Sequence, residues 1–115
     1  MLPQHTTREL TFRNGTALGI SNKWSGGQYC SILTAAGIVG CGIYDIRTPT
    51  EFNQAVAIAR GTPAHPLVEP EDLLEAKIVD CTPLAKRYGV AIGMIGRDAV
   101  ERLLAAAQQQ QTAQQ

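Results

Sequence analysis

YCSILTAAGIVGCGIYD, residues Tyr29 to Asp45, is the stretch whose reading decides the fold. Cys30 to Leu33 and Ile38 to Ile43 are short apolar runs of the kind that form buried strands. Thr34-Ala35-Ala36-Gly37 lies between them, and its glycine can take the positive φ that a tight turn asks for. The stretch therefore reads as two strands folded back on each other. Alternate residues of a strand share a face, so Val39, Cys41, Ile43 and Asp45 are expected on one side. Ile38, Gly40, Gly42, Tyr44 and Ile46 fall on the other. Two glycines on one face imply a close approach by other backbone or a ligand, and Gly42 is expected to tolerate no side chain. Cys41 and Asp45 share a face but stand about 13 Å apart along an extended strand. A catalytic partner for the thiol has to come from elsewhere in the chain.

Upstream, Arg8 to Arg13 alternates, with Leu10 and Phe12 on one face, and reads as a half-buried strand. Asn14-Gly15 is a strong hairpin signal, with Thr16 to Ser21 as the returning strand. Asn22 to Gln28 (NKWSGGQ) reads as a flexible loop carrying the single tryptophan, Trp24. That ring either covers a pocket or partner contact or caps the edge of a core.

Downstream, Thr48-Pro49-Thr50-Glu51 has the residues of a helix start, with threonine as cap, proline at the first position and a capping glutamate. Periodicity allows one helix to about Arg60, yet Ala55 to Ala59 (AVAIA) would serve equally as a buried strand. Gly61 to Pro66 is a loop, and Glu69-Pro70-Glu71-Asp72 opens a second helix over Leu73, Leu74 and Ile78. Thr82-Pro83 starts a short helix through Tyr88, closed by Gly89. Val90 to Ile95 is a strand or an extended connection, and Gly96 to Ala107 is the clearest amphipathic helix. The glutamine-rich tail, 108–115, offers no apolar face and is expected to be disordered beyond a single domain over 1–107. Strands first and helices after them give an α+β fold (a mixed α/β layer), with N-terminal antiparallel strands and helices packed on the sheet.

Composition narrows the function classes. Lysine plus arginine equal aspartate plus glutamate at 10 each, so no basic surface points to nucleic acid or to a membrane. The apolar runs are too short for a membrane span, and Met1 to Arg13 lacks the apolar core of a signal peptide. Three cysteines without clustered spacing fit reduced thiols in the cytoplasm better than a disulfide framework.

Taken together, Tyr29, Gly37, Cys41-Gly42, Asp45, Arg60-Gly61, Leu73-Leu74-Glu75-Ala76 and Gly93-Met94-Ile95-Gly96-Arg97-Asp98-Ala99 resemble the YunC-like family of small uncharacterised bacterial and archaeal proteins. The Cys-Gly-x-x-Asp and Gly-Met-x-Gly-x-x-Ala segments carry most of the resemblance, which runs from about Thr11 to Leu104. It implies an α/β fold in which a shortened helix, Pro49–Gln54, precedes a strand, Ala55–Gly61. Cys30, Cys81 and His65 depart from the family pattern, and the family brings no established activity.

Cys41 is the candidate catalytic residue, because a thiolate is a nucleophile when a neighbour lowers its pKa. Arg60 is the candidate neighbour if its strand lies beside the thiol. Backbone N–H groups near Gly40 and Gly42 would then face a developing oxyanion. A buried cysteine that serves only as a small hydrophobe is the alternative. Asp45 and Arg60 are the candidate ligand-binding pair, holding a carboxylate or phosphate through the arginine fork, or else joining in a structural ion pair. His65 lies in a proline-flanked loop as a possible base or a solvated side chain. No C-x-x-C pair occurs and neither histidine has ligand spacing, so no metal and no cofactor is implied. Gly93 to Gly96 before a helix can cradle an anion or simply start the helix. Two functions stand side by side. One is a small-molecule enzyme or ligand-binding protein with a site around Cys41 and Arg60. The other is a non-catalytic homo-oligomeric or partner-docking module in which Cys41 is structural.

Overall fold

The computed structural model describes residues 2–114, with side chains to Gln110. Six strands form one sheet in sequential order: β1 Gln4–Phe12, β2 Gly15–Trp24, β3 Gly27–Leu33, β4 Ile38–Gly40, β5 Val56–Arg60 and β6 Lys77–Cys81. All neighbours are antiparallel except β4 and β5, which are parallel. The sheet carries α1 Arg47–Glu51, a 3-10 turn Pro70–Leu74, α2 Pro83–Arg87 and α3 Gly96–Gln114. The fold is α+β, as the order of strand and helix signals predicts.

Register sorts the residues of the sheet onto two faces. Gly19 pairs with Ile32, Ile32 with Val39, Val39 with Ala57 and Ala57 with Cys81. These residues line one face, where Ile32, Val39 and Ala57 are fully buried together with Leu73, Val100 and Leu103. α3 and the 3-10 turn pack on this side, so their apolar stripes and the sheet bury one another. The other face presents Leu18 paired with Leu33, both about two-fifths exposed, and farther along Ile58 and Arg60.

Several expectations shift by a residue or two. The first hairpin closes with Phe12 opposite Gly15, so its turn is Arg13-Asn14, one position earlier than Asn14-Gly15. Gly15 takes φ +143°, a conformation that suits glycine. A single carboxylate holds this turn: Glu101 of α3 accepts from the Arg13 N–H at 3.1 Å, the Asn14 N–H at 3.0 Å and the Asn14 side-chain amide at 3.2 Å. Asn22 to Gln28 forms no loop. β2 and β3 run straight through it and turn at Ser25-Gly26, with Trp24 packed on Tyr29 at a ring separation of 6.1 Å. At the central turn the Thr34 N–H donates to Gly37 O at 2.8 Å. Gly37 is required there for space, since a Cβ would lie 2.4 Å from Ala55 O.

The chain between Phe52 and Val56 leaves its short helix and enters β5, so the strand alternative for AVAIA holds. α1 begins at Arg47, with Ile46 rather than Thr48 at its cap and no side-chain cap bond. The capping box occurs instead at Glu69 and Asp72, where the Asp72 carboxylate accepts from the Glu69 N–H at 2.9 Å. Lys77–Cys81, β6, carries Ile78 as a strand residue instead of a helical one. The Gly96 N–H is already given to Ala76 O at 2.8 Å, and a Cβ at Gly96 would lie 1.9 Å from Leu73 O. The helix start is thus closed against backbone and offers no anion cradle. α3 continues through the glutamine tail to Gln114, where composition predicts disorder; glutamine is a good helix former, and Gln110 donates to the Tyr88 hydroxyl at 2.6 Å. Gln115 lies outside the described residues.

Candidate functional site

β4 is only three residues long, and the turn at its end decides the chemistry. The ladder continues for one more bond, from the Cys41 N–H to Cys30 O at 3.1 Å. The chain then turns through Gly42-Ile43, with the Tyr44 N–H donating to Cys41 O at 3.1 Å. The alternation expected through Asp45 therefore stops at Cys41.

Cys41 falls on the core face with Val39 and is 6% exposed. Cys30, fully buried, is its neighbour across β3 and β4, and the Cys30 N–H donates to Cys41 Sγ at 3.5 Å. A hydrogen bond from the Cys30 thiol lowers the Cys41 pKa to about 6, against the upward push of burial, and the N–H groups of Ile43, Cys30 and Cys41 add to the lowering. Cys30 moves the other way, because it keeps its proton in the hydrogen bond to Cys41 and because it is buried. Burial also raises the Cys81 thiol.

Arg60 does not take part. Gly40 is paired with Ile58 in the parallel register, so Arg60, two residues beyond Ile58, lies on the Gly40 face, opposite Cys41. The groups that hold the Cys41 thiolate are Cys30 and backbone N–H groups. The expectation of an arginine beside the thiol is thereby corrected: the groups that lower the Cys41 pKa are Cys30 and backbone N–H groups. That second cysteine, Cys30, is not singled out by the sequence reading as the partner of the Cys41 thiol. Counting outward from the Thr34–Gly37 turn places Cys30 opposite Cys41, and that count was the available signal.

Gly40 and Gly42 also part company. A Cβ on Gly40 would lie 2.4 Å from Tyr44 Cδ2, whereas nothing stands within 4 Å of one on Gly42. The close approach is real at Gly40, where Tyr44 folds over the strand, and absent at Gly42. Tyr44 meets Tyr29 edge-on at 6.2 Å, and burial raises its pKa.

Asp45 and Arg60 do come together, in a groove of about 900 Å³. The segment after Cys41 forms one wall with Tyr44, Asp45 and Arg47, while Arg60 and Asp80 form the other. Asp45 spends one oxygen on the Arg47 N–H at the start of α1. Among the described residues, Arg47 and Arg60 take part in no salt bridge, in contrast to Arg8, which is held by Glu69 and Glu71. Asp45 and Arg60 therefore form no structural ion pair. His65 lies outside this groove, in a bend where its N–H donates to Thr62 O at 3.0 Å. No helix among the described residues is long and apolar enough to cross a membrane.

A mixed six-stranded sheet, with α3 and the 3-10 turn on one face and a charged groove on the other, defines a small α+β domain. The chain belongs to the family described as a domain of unknown function, DUF1805, whose model matches residues 40–103. That span begins at β4 and includes the groove and α3 up to Leu103. A crystal structure of a protein of unknown function from Thermoplasma acidophilum is similar, with a TM-score of 0.77 at 16% identity, covering 90% of this chain and 96% of that one. At that identity the likeness speaks for the fold. No curated protein matches the chain.

Proposed function

We propose that this is a cytoplasmic, YunC-like small-molecule-binding protein whose groove takes a small ligand with a carboxylate or phosphate group. The observation that carries the reading is the pair of guanidinium groups, Arg47 and Arg60, in one concave site without a salt bridge among the described residues. An arginine fork matches the two oxygens of a carboxylate or phosphate, and its charge is most useful where no protein carboxylate has claimed it. Asp45, Glu51 and Asp80 around the same groove favour a ligand that also carries an ammonium or hydroxyl group. The Cys-Gly-x-x-Asp segment that carries the YunC-like resemblance supplies Gly42 and Asp45 to this wall.

O-phosphoserine combines those groups and serves as the probe. Titrated into isotope-labelled protein, it should move the amide signals of Gly42, Asp45, Arg47 and Arg60 in a saturable way. Arg60→Met should abolish the saturation while leaving the fold intact, because Arg60 is exposed. Signals that do not move, or that move equally in Arg60→Met, would remove the groove as a binding site.

A further inference from the structure

We propose that Cys41 and Cys30 form a dithiol site that hydrogen peroxide converts to a disulfide within the folded chain. The proposal is independent of the groove, which lies on the other face of the sheet, so either can fail alone.

Geometry carries it. Ser31 is paired with Gly40, so the next pair outward is Cys30 with Cys41, confirmed by the Cys41 N–H donating to Cys30 O at 3.1 Å. Residues directly opposite in an antiparallel ladder have Cα atoms about 4.5–5.5 Å apart. A disulfide spans Cα separations of about 4.4–6.8 Å, so bridging asks for rotation of side chains and little of the backbone. Both side chains lie in the same buried layer of the core. The sulfur of Cys41 has replaced a carbonyl as acceptor for the Cys30 N–H, at 3.5 Å, so the ladder here is organised around that sulfur. Cys41 also sits where the strand ends, beside the exposed turn Gly42-Ile43. A small oxidant needs only a local opening of that turn to reach it.

The chemistry balances with peroxide as the sole oxidant. The Cys41 thiolate attacks one oxygen of hydrogen peroxide, a sulfur–oxygen bond forms, the oxygen–oxygen bond breaks, and hydroxide leaves to become water on taking a proton. The Cys30 sulfur then attacks Cys41 sulfur, expelling the sulfenic oxygen as a second water with the proton that Cys30 gives up. Two thiols and one peroxide yield one disulfide and two waters. The hydrogen-bonded thiolate favours Cys41 as the attacking group, and Cys30, keeping its proton, as the resolving one.

Cys81 provides an internal reference. It is buried at 2% exposure and lies on β6, with β5 between it and β4, about 10 Å away by two strand spacings. The full chain is exposed to dilute peroxide at neutral pH, then alkylated in denaturant and mapped without reduction. The expected result is a linkage between the Cys30 and Cys41 peptides, with Cys81 still alkylated, and loss of free Cys41 at least roughly tenfold faster than of Cys81. In Cys30→Ser, Cys41 should stop at a sulfenic acid that dimedone captures. The wild-type map decides the matter even if that variant does not fold. Oxidation of Cys81 at the rate of Cys41, oxygen added to Cys41 without linkage to Cys30, or no reaction before denaturant is added would each overturn the proposal.

Discussion

The two faces of the sheet at β4 and β5 differ by one residue of register and by nearly everything chemical. On the core face Cys41 is sealed against Cys30 and held by backbone amides. On the groove face Arg60 has solvent, open space and no salt bridge among the described residues. Each feature is one step along its strand from a residue of the opposite kind: Cys41 follows Gly40, and Arg60 follows Ala59. A strand can therefore place two reactive groups at neighbouring positions and still keep them apart, because the pleat separates them by the full thickness of the sheet. Nearness along the sheet is poor evidence for a shared site unless parity agrees.

The sharpest way to break this comparison is to crowd one face while sparing the other. Gly40→Val should drive its side chain into Tyr44 and cost about 2 kcal/mol or more, as overpacking does. Gly42→Ala, with open space at its Cβ, should change stability by less than about 1 kcal/mol. Thermal melts of the two variants decide it. Equal losses would mean that the turn after Cys41 is closed as well.

The next effect is a pH dependence. Cys41 has a native pKa of about 6, below the value near 8.5 expected unfolded. Between these values the unfolded chain holds a proton that the native chain has released, so stability rises with pH across this window. The contribution is lost as pH falls through about 6. At higher pH, Cys30 and Cys81 act in the opposite sense, since the native state keeps protons that the unfolded state gives up. Urea unfolding of the parent and of Cys41→Ser across the window should give a steeper rise for the parent. Parallel curves would show that Cys41 titrates as an ordinary thiol.

The smallest expected effect is a null that sharpens the separation of the faces. Arg60→Met should leave the pH profile of Cys41 alkylation where it was, because the groups holding the thiolate do not include Arg60. A profile moved to higher pH would reconnect the two faces.

Much of this was legible in the sequence, and the failures have physical causes. The central hairpin and the helix from Gly96 follow from apolar runs, turn residues and periodicity, whereas these left Val56–Arg60 open between helix and strand, and only the family resemblance implied a strand there. Asp45 and Arg60 both line the groove, with no salt bridge between them. The end of β4 was illegible because Cys-Gly-Ile-Tyr continues an apolar run, and only the turn bond to Cys41 O shows that the pairing stops there. β6 was hidden because Leu73 to Ile78 has helical spacing, while the second half of that run is drawn into the sheet by pairing with β5. The tail misled because composition weighs burial, whereas a helix already nucleated by a packed segment can extend through glutamines at little cost.

The carboxylate of Glu101 joins positions 87 and 88 residues apart, tying the first turn of the chain to its last helix. A hairpin tip of two residues would normally fray and exchange its amide hydrogens independently of the core. Here the Arg13 and Asn14 amides are capped by a residue whose helix is itself anchored through buried Val100, Leu103 and Leu104. The outermost turn of the hairpin is thus expected to open with α3, so that the Arg13 and Asn14 amides exchange on the timescale of that helix in native-state exchange.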